Sequence, residues 1–276
     1  MKKRSVEELK SIAKDLRKKV ITMVYEAQSG HPGGSLSAAD FVTAAYFYEM
    51  NVDPKNPKWE DRDRFVLSKG HVCPIQYAAL GTMGFFPEEE LHTLRKEGSI
   101  LQGHPNMKCP GIDIPTGSLG QGFACAVGMA IGGKRDNKDY RVIAVLGDGE
   151  CQEGEIWEAA QTANKYELDN LIVFVDNNNL QIDGTTDEVM PNLNLGKKFE
   201  AFGFDVYEID GHDMNSIVRT FDTIRMHRRN KRPKCIFANT VKGKGVSFME
   251  NSCSWHGVAP NKEEYEQALK DIEEGF

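Results

Sequence analysis

The sequence predicts an α/β fold in which helices cover both faces of a doubly wound, mostly parallel sheet. An apolar run begins at Arg141 and ends in the motif GDG at residues 147–149, and residues 171–175 form a second run before an asparagine-rich turn. Such continuous apolar runs are typical of strands buried on both faces. An amphipathic helix predicted over residues 153–168 connects the two runs, which completes a βαβ unit.

The amino-terminal part of the chain is predicted to be helical on either side of one short strand. Residues 6–28 have apolar positions at helical spacing. A second helix is expected over residues 37–49, after the loop SGHPGG, with Ser37 as its N-cap. Residues 64–68 are predicted to form a strand. The helix expected over residues 119–134 is rich in alanine and glycine, which permits close packing against a neighbouring helix.

The pattern continues after the βαβ unit. Strands are predicted over residues 204–209 and 235–240, with a helix over residues 215–229 between them, and the last helix is expected over residues 262–270. With 276 residues and 40% hydrophobic content, the chain can bury one sizeable core. We therefore expect residues 1–276 to form a single domain.

Composition excludes several classes of function. A net charge of −7 argues against nucleic acid as a partner. No apolar run reaches the ~20 residues of a membrane span, and no signal peptide is recognisable, so we expect a cytoplasmic protein without a membrane partner. The six cysteines form no CxxC pair, which favours free thiols over a zinc cluster or a disulfide framework.

Polar residues follow both strands of the predicted βαβ unit. Asp148 lies in the glycine turn after the first strand, and Asn178 follows the second strand, thirty positions later. Open α/β sheets bind ligands at the carboxyl ends of their strands, and Mg²⁺ takes such side-chain oxygens while it keeps phosphate oxygens in its shell. Either fragment alone is better explained as an ordinary turn. The pair, each at a strand end, indicates a metal site that holds a diphosphate.

The sequence resembles the thiamine diphosphate enzymes, and among them the transketolases. The resemblance rests on the spacing from GDG to Asn178 and on the continuation ECQEGEIWEA, and it covers nearly the whole chain. Four further motifs occur in the family's order: SGHPG at 29–33, SKGH at 68–71, GHP at 103–105 and TGSLGQG at 116–122. The resemblance implies the diphosphate-binding domain of the thiamine diphosphate-binding fold. It also implies thiamine diphosphate and Mg²⁺, or another divalent cation such as Ca²⁺ or Mn²⁺, as cofactors.

The resemblance carries roles onto individual residues of the two strand ends. Asp148 and Asn178 would bind the metal through their side chains, and Leu180 through its backbone carbonyl. Gly149 would offer its backbone to the diphosphate, and Ile182 would pack on the cofactor.

The resemblance also implies roles for residues of two further segments. Gly117, Ser118 and Leu119 match a loop that lies over the aminopyrimidine side of the cofactor. Glu153 matches a glutamate that joins a carboxylate network between active sites across the subunit interface.

Four histidines also match the family's pattern. The resemblance implies that His71 approaches the diphosphate, while His31 and His104 face the sugar. His256 matches a late histidine that reaches both cofactor and substrate. Imidazole suits the cleavage of a ketol donor because it donates, accepts and titrates near neutral pH, with an unperturbed pKa of ~6.5.

Any one of these histidines, taken alone, is better explained as a helix cap or a loop residue than as a functional residue. His31, His71 and His104 each follow a glycine directly, where the backbone can bring an imidazole close to a ligand, so their shared context favours function. The remaining three are predicted to be surface or structural residues: His92, His212 and His227.

The resemblance also implies a partner. Transketolases carry a pyrimidine-binding domain whose glutamate activates the cofactor, and a C-terminal domain, and no segment of this sequence remains to supply them. The chain therefore resembles the amino-terminal subunit of a split transketolase. We expect a separate C-terminal subunit, two copies of each chain, and activity on sugar phosphates only in the complex.

Three alternatives stay open at this point. The chain could be a thiamine diphosphate-binding subunit without catalysis, or part of a transketolase-like enzyme that acts on an unusual sugar. A third reading is an NAD-dependent dehydrogenase in which TGSLGQG imitates a dinucleotide fingerprint. Such a fingerprint should follow a strand directly, whereas here it follows the predicted loop at 109–115.

Overall fold

A five-stranded parallel sheet lies at the centre of the computed structural model, which describes residues 3–275. The strand order is β1-β2-β3-β5-β4. The strands are β1 (Arg64–Leu67), β2 (Val142–Gly147), β3 (Leu171–Asn177), β4 (Asp205–Asp210) and β5 (Lys234–Asn239). The predicted fold class is confirmed, and every predicted strand is present.

Helices surround this sheet. They are α1 (Val6–Ala27), α2 (Pro32–Ser37), α3 (Ala39–Ala44), α4 (Cys73–Met83), α5 (Gln121–Arg135), α6 (Gly154–Lys165), α7 (Thr186–Val189), α8 (Leu195–Ala201), α9 (Met214–Met226) and α10 (Lys262–Glu274). A π-helical turn covers Ala45–Glu49, and short 3₁₀ turns cover Gly70–Val72, Glu88–Thr93, Glu150–Gln152 and Cys253–Trp255. None of the helices in residues 3–275 combines the length and apolar character needed to cross a membrane.

The two faces of the sheet contribute to two separate cores, because successive side chains of a strand point to opposite faces. On β2, Ile143 and Val145 pack into the core formed with α1, α3, α4 and α9. Val142, Ala144 and Leu146 pack into the core formed with α5, α6 and α8. The central strands are thus buried on both sides, as their continuous apolar sequence predicts.

The prediction for residues 37–49 is wrong at its start. Helix α2 begins at Pro32, where the fixed φ of proline suits the first turn of a helix, and Ser37 is its last residue rather than an N-cap. The Ser37 hydroxyl donates to the carbonyl of Gly34 at 3.0 Å and to Asp176 Oδ2 at 2.6 Å. The α-helix α3 then passes into the π-helical turn.

Other differences concern element ends and missed helices. Helix α5 begins at Gln121 instead of residue 119, and α10 continues to Glu274. Helices α4, α7 and α8 were not predicted. Nine of the eleven residues of α4 are buried, so this helix shows no polar face that would reveal its period.

Candidate functional site

A cavity of about 350 Å³ opens where the carboxyl ends of β1, β2 and β3 meet. Lys69 follows β1, Asp148 follows β2 and Asn178 follows β3, and all three line the cavity. His31, which precedes α2, and His256, which follows the last 3₁₀ turn, also line it. The cavity therefore lies at the sheet edge where open α/β folds bind ligands.

Asp148 is held by its neighbours in the chain and by the turn after β3. Its Oδ1 accepts from the backbone N–H of Gly149 at 2.8 Å, and its Oδ2 accepts from the backbone N–H of Asn179. The Oδ1 of Asn178 accepts from the N–H of Leu180 at 3.1 Å. Leu180 itself forms an isolated antiparallel bridge with Thr185, which fixes its backbone.

These residues fit a divalent cation. Asp148 is only 3% exposed, and burial, followed by the negative charge of Asp176, raises the pKa of Asp148 to about 6. A cation at this carboxylate would favour its ionised form. One carboxylate, one amide oxygen and one backbone carbonyl also leave positions for the phosphate oxygens and waters that Mg²⁺ retains. Within residues 3–275, no group of three or more His, Cys, Asp or Glu side chains is arranged to hold a metal.

Three of the predicted histidines form one cluster. The ring centroids of His31 and His71 are 5.2 Å apart, those of His31 and His256 are 5.4 Å apart, and those of His71 and His256 are 5.0 Å apart. The Nδ1 of His31 is buried and has no hydrogen-bond partner among the described residues. An unpaired buried ring nitrogen of this kind is rare in folded proteins.

The cluster is electrostatically unfavourable for positive charge. Burial, followed by the charges of neighbouring cationic groups, lowers the pKa of His31 to about 4 and that of His256 to about 3. Burial, with Lys69 as the largest charge effect, lowers the pKa of His71 well below its ordinary value. The three imidazoles are therefore neutral at pH 7, and each can both donate and accept a hydrogen bond.

Lys69 and Lys242 line the same cavity, and neither was singled out from the sequence. They are 2% and 1% exposed. Lys69 Nζ donates to Asp176 Oδ2 at 2.5 Å, and Lys242 Nζ lies 2.8 Å from His256 Nδ1. Burial, followed by the charge of Lys69, lowers the pKa of Lys242 to about 8. The available signal was their position after a strand end, in SKGH and in TVKGKG.

The remaining predicted residues are divided between the cavity and its rim. Gly117, Leu119, Gly149, Ile182 and Glu153 line the cavity, although the Ile182 side chain is 67% exposed. Ser118 and His104 do not line it and are exposed.

His104 nevertheless lies close to the cavity wall. Gly117 has a φ of +141°, and a Cβ there would approach within 2.6 Å of the His104 ring. His104 also lies near enough to His31 to lower the pKa of that residue. Of the other histidines, His92 is exposed, and His212 bonds Asp40 at 2.9 Å as a structural residue.

Gln152 and Gln181 form a second feature that the sequence did not reveal. Both line the cavity, and the Nε2 of Gln152 donates to Gln181 Oε1 at 2.8 Å. The same Nε2 donates to the carbonyl of Met190 at 2.8 Å. This contact ties the turn after β2 to the segment that follows β3.

The fold and this cavity define the class of the protein, an α/β domain with a ligand-binding cavity at the carboxyl ends of its strands. Residues 8–273 match the family of the transketolase thiamine diphosphate-binding domain. The chain belongs to the transketolase family. This membership, and the loop that precedes TGSLGQG, remove the dehydrogenase alternative.

Some relatives are about as long as this chain, and others are more than twice as long. It is 45% identical to one of the subunits of apulose-4-phosphate transketolase from Phocaeicola vulgatus, over 98% of this chain and 95% of that protein. It is 43% identical to 6-deoxy-6-sulfo-D-fructose transketolase subunit SqwG of a Clostridium species, over 96% of each. The crystal structure of Campylobacter jejuni transketolase superposes with a TM-score of 0.92 at 34% identity. That match covers 98% of this chain and 43% of the Campylobacter chain.

Proposed function

We propose that the chain is the amino-terminal, cofactor-binding subunit of a two-chain transketolase. Residues 1–276 form its single diphosphate- and Mg²⁺-binding domain. The complete enzyme reversibly transfers a two-carbon ketol unit from a ketose phosphate to an aldose phosphate. The observation that carries this proposal is the convergence of Asp148, Asn178 and three neutral histidines on one cavity of a transketolase-family fold.

The metal and the diphosphate would be held by the strand ends. Asp148 and Asn178 supply side-chain oxygens to Mg²⁺, and Leu180 supplies its carbonyl. Lys69 and Lys242 provide positive charge for the diphosphate from within the cavity. When bound here, thiamine diphosphate would supply the electron sink for carbon–carbon bond cleavage, which no protein side chain offers.

The histidines would serve the sugar and its protons. His31 lines the cavity and, because burial lowers its pKa to about 4, its imidazole is neutral at pH 7 and can accept a hydrogen bond from a substrate hydroxyl. His256, next to Lys242, is similarly neutral, and its ring lies 5.4 Å from that of His31 and 5.0 Å from that of His71. His71 orients the diphosphate, and His104 contacts the sugar from the rim.

The partner would complete the site from outside the chain. Two relatives named as transketolase subunits match over nearly their whole length, whereas this chain spans 43% of the Campylobacter transketolase. We infer a C-terminal subunit that carries the pyrimidine-binding domain, with two copies of each chain in the enzyme. Glu153 lies exposed at the edge of the cavity, which suits a carboxylate that meets groups of a second active site. Gly117, Ser118 and Leu119 would lie beside the aminopyrimidine.

The substrate is proposed as a ketose with an anionic group at its far end. The guanidinium of Arg95 packs against Gly103, next to His104, and its positive charge contributes, after burial, to the lowered pKa of both His31 and His104. The named substrates of the two subunit relatives include a phosphate and a sulfonated sugar. Pentose phosphates and a less usual sugar of this class therefore both belong in the substrate screen. The free thiols of all six cysteines support a cytoplasmic location.

The first experiment is isolation of the tagged chain from its native cells, with mass spectrometry of what co-purifies in stoichiometric amount. We expect a chain with a pyrimidine-binding domain, and ketol transfer by the complex that depends on thiamine diphosphate and Mg²⁺. Ketol transfer by the purified chain alone would overturn the two-chain proposal. A complex that binds the cofactor but transfers no ketol unit from any phosphorylated or sulfonated ketose would favour the non-catalytic alternative.

A further inference from the structure

Glu150 is a buried carboxylate for which the proposed chemistry has no use. It is 2% exposed and lies at the wall of the cavity. Its Oε1 accepts from the Ser68 hydroxyl and from the N–H of Gly120 at 3.0 Å. Its Oε2 accepts from the N–H of Gly147 at 3.1 Å. Both oxygens are therefore occupied by donors of the protein itself.

The three donors come from three separate segments that frame the cofactor cavity. Ser68 begins the SKGH segment after β1, Gly120 closes the TGSLG turn before α5, and Gly147 begins the GDG turn after β2. These segments are far apart in the sequence, and each carries residues that line the cavity. Glu150 is one side chain that bonds all three.

The junction has little room for adjustment. A Cβ on Gly122 would lie 2.7 Å from Ser68 Oγ and 2.8 Å from Ser68 Cα. A Cβ on Gly70 would lie 2.8 Å from the backbone nitrogen of Gly117. The hydroxyl of Thr116 also donates to the carbonyl of Leu67 at 2.7 Å. Because the segments are packed backbone to backbone, a shift at Glu150 is passed to the cavity wall.

The hydrogen-bond pattern fits a carboxylate at Glu150, which accepts at both oxygens. The N–H groups of Gly120 and Gly147 can only donate, and the Ser68 hydroxyl donates to the same carboxylate. A glutamine would keep the shape but would turn an NH₂ group toward a backbone N–H.

We propose that Glu150 is a positioning residue that holds the SKGH, TGSLG and GDG segments in the arrangement that binds the metal diphosphate. It acts through the backbone and does not touch the ligand. The inference rests on the proposed function, because it concerns the pocket in which thiamine diphosphate would bind. It assigns to this side chain the preorganisation of that pocket.

The test compares Glu150→Gln with Glu158→Gln, an exposed glutamate on the neighbouring helix α6. Each variant is assembled with the partner chain, and thiamine diphosphate is titrated at saturating Mg²⁺ well below the unfolding temperature. We expect the Kd of Glu150→Gln to rise about 10–100-fold, the range seen when residues that orient ligand-binding groups are lost. Its kcat at saturating cofactor should stay near the wild-type value, and Glu158→Gln should match wild type throughout.

A second variant, Ser68→Ala, removes one donor and keeps the carboxylate. It should raise the Kd for thiamine diphosphate, but by less than Glu150→Gln. If Glu150→Gln does not fold, the Kd of Ser68→Ala tests the inference by itself. Wild-type Kd values in both variants, with a lowered unfolding temperature, would show a purely structural role and overturn the inference. A reduced kcat at unchanged Kd would also overturn it. Failure of the wild-type complex itself to bind thiamine diphosphate would instead overturn the proposed function.

Discussion

Asp148→Asn should stabilise the ligand-free protein while it abolishes stabilisation by Mg²⁺ and thiamine diphosphate. Burial raises the pKa of Asp148 from 3.8 to about 6, so keeping this carboxylate ionised at pH 7 costs about 3 kcal/mol. Asparagine removes this cost. It accepts from only one of the two backbone N–H groups of Gly149 and Asn179, and the unsatisfied one costs about 1–3 kcal/mol.

The net gain for the ligand-free variant is therefore about 1 kcal/mol, which corresponds to a rise in Tm of about 2–4 °C. The gain depends on pH. Because the folded-state pKa is the higher one, the contribution of Asp148 to stability is fully present below pH 4 and is lost as the pH rises to about 6. The difference between the variant and the wild type should thus grow across that window.

Thermal unfolding with and without ligand measures both effects. For the wild-type complex, Mg²⁺ and thiamine diphosphate at about 100 times Kd should add about 2.7 kcal/mol, and this increment should be absent from Asp148→Asn. The exposed Asp53→Asn serves as the control and should change neither quantity. A lower ligand-free Tm for Asp148→Asn, or an undiminished ligand effect, would refute the assignment of a buried, destabilising metal ligand.

Three further changes test other parts of the molecule. His31→Ala should leave cofactor affinity intact and lower kcat about 10²–10⁴-fold, because a proton-transfer group is lost. Steady-state kinetics and a cofactor titration measure these two quantities. A kcat equal to that of the wild type would contradict the prediction. Lys242→Met should weaken thiamine diphosphate binding roughly 10–100-fold in calorimetry. It should also raise the pKa of His256 in an NMR titration, since the Lys242 charge helps to lower that pKa; an unmoved resonance would contradict the contact. Phe174→Ala should lower the free energy of unfolding in urea by about 3–5 kcal/mol, because Phe174 is fully buried and its ring centroid lies 3.7 Å from that of Phe41. A decrease below about 1 kcal/mol would contradict this packing.

Strands could be predicted from the sequence where burial on both faces requires a continuous run of apolar residues. Strand β2 is apolar and ends at glycine, and β3 is apolar over residues 171–175 before Asp176 and Asn177, so the positions of both were predictable. Helix α4 is also apolar on nearly all sides, but its length and its cysteine, proline and glycine give no clear period, and it was missed. For α2, proline at the first helical position was the usable signal, and the serine at 37 was misleading.

The site could be predicted only in part, for a related reason. Asp148 and Asn178 follow strands, so residue type and position together indicated a metal site. The roles of Lys69 and Lys242 could not be predicted, because lysine is expected on the surface. Only the folded chain shows that both are buried beside the same cavity. Glu150 lay within the recognised motif, but its bonds reach segments remote in sequence.

The electrostatics of the ligand-free cavity give one reason to expect metal and diphosphate to bind together. Burial shifts the pKa of Asp148 upward and the pKa values of Lys242, His31 and His256 downward, so each group is driven toward its neutral form. A cation alone would relieve only the carboxylate, and an anion alone would relieve only the lysine and histidines. A metal diphosphate relieves both sets at once. We therefore expect Mg²⁺ to tighten thiamine diphosphate binding and thiamine diphosphate to tighten Mg²⁺ binding by the same factor, as linkage requires.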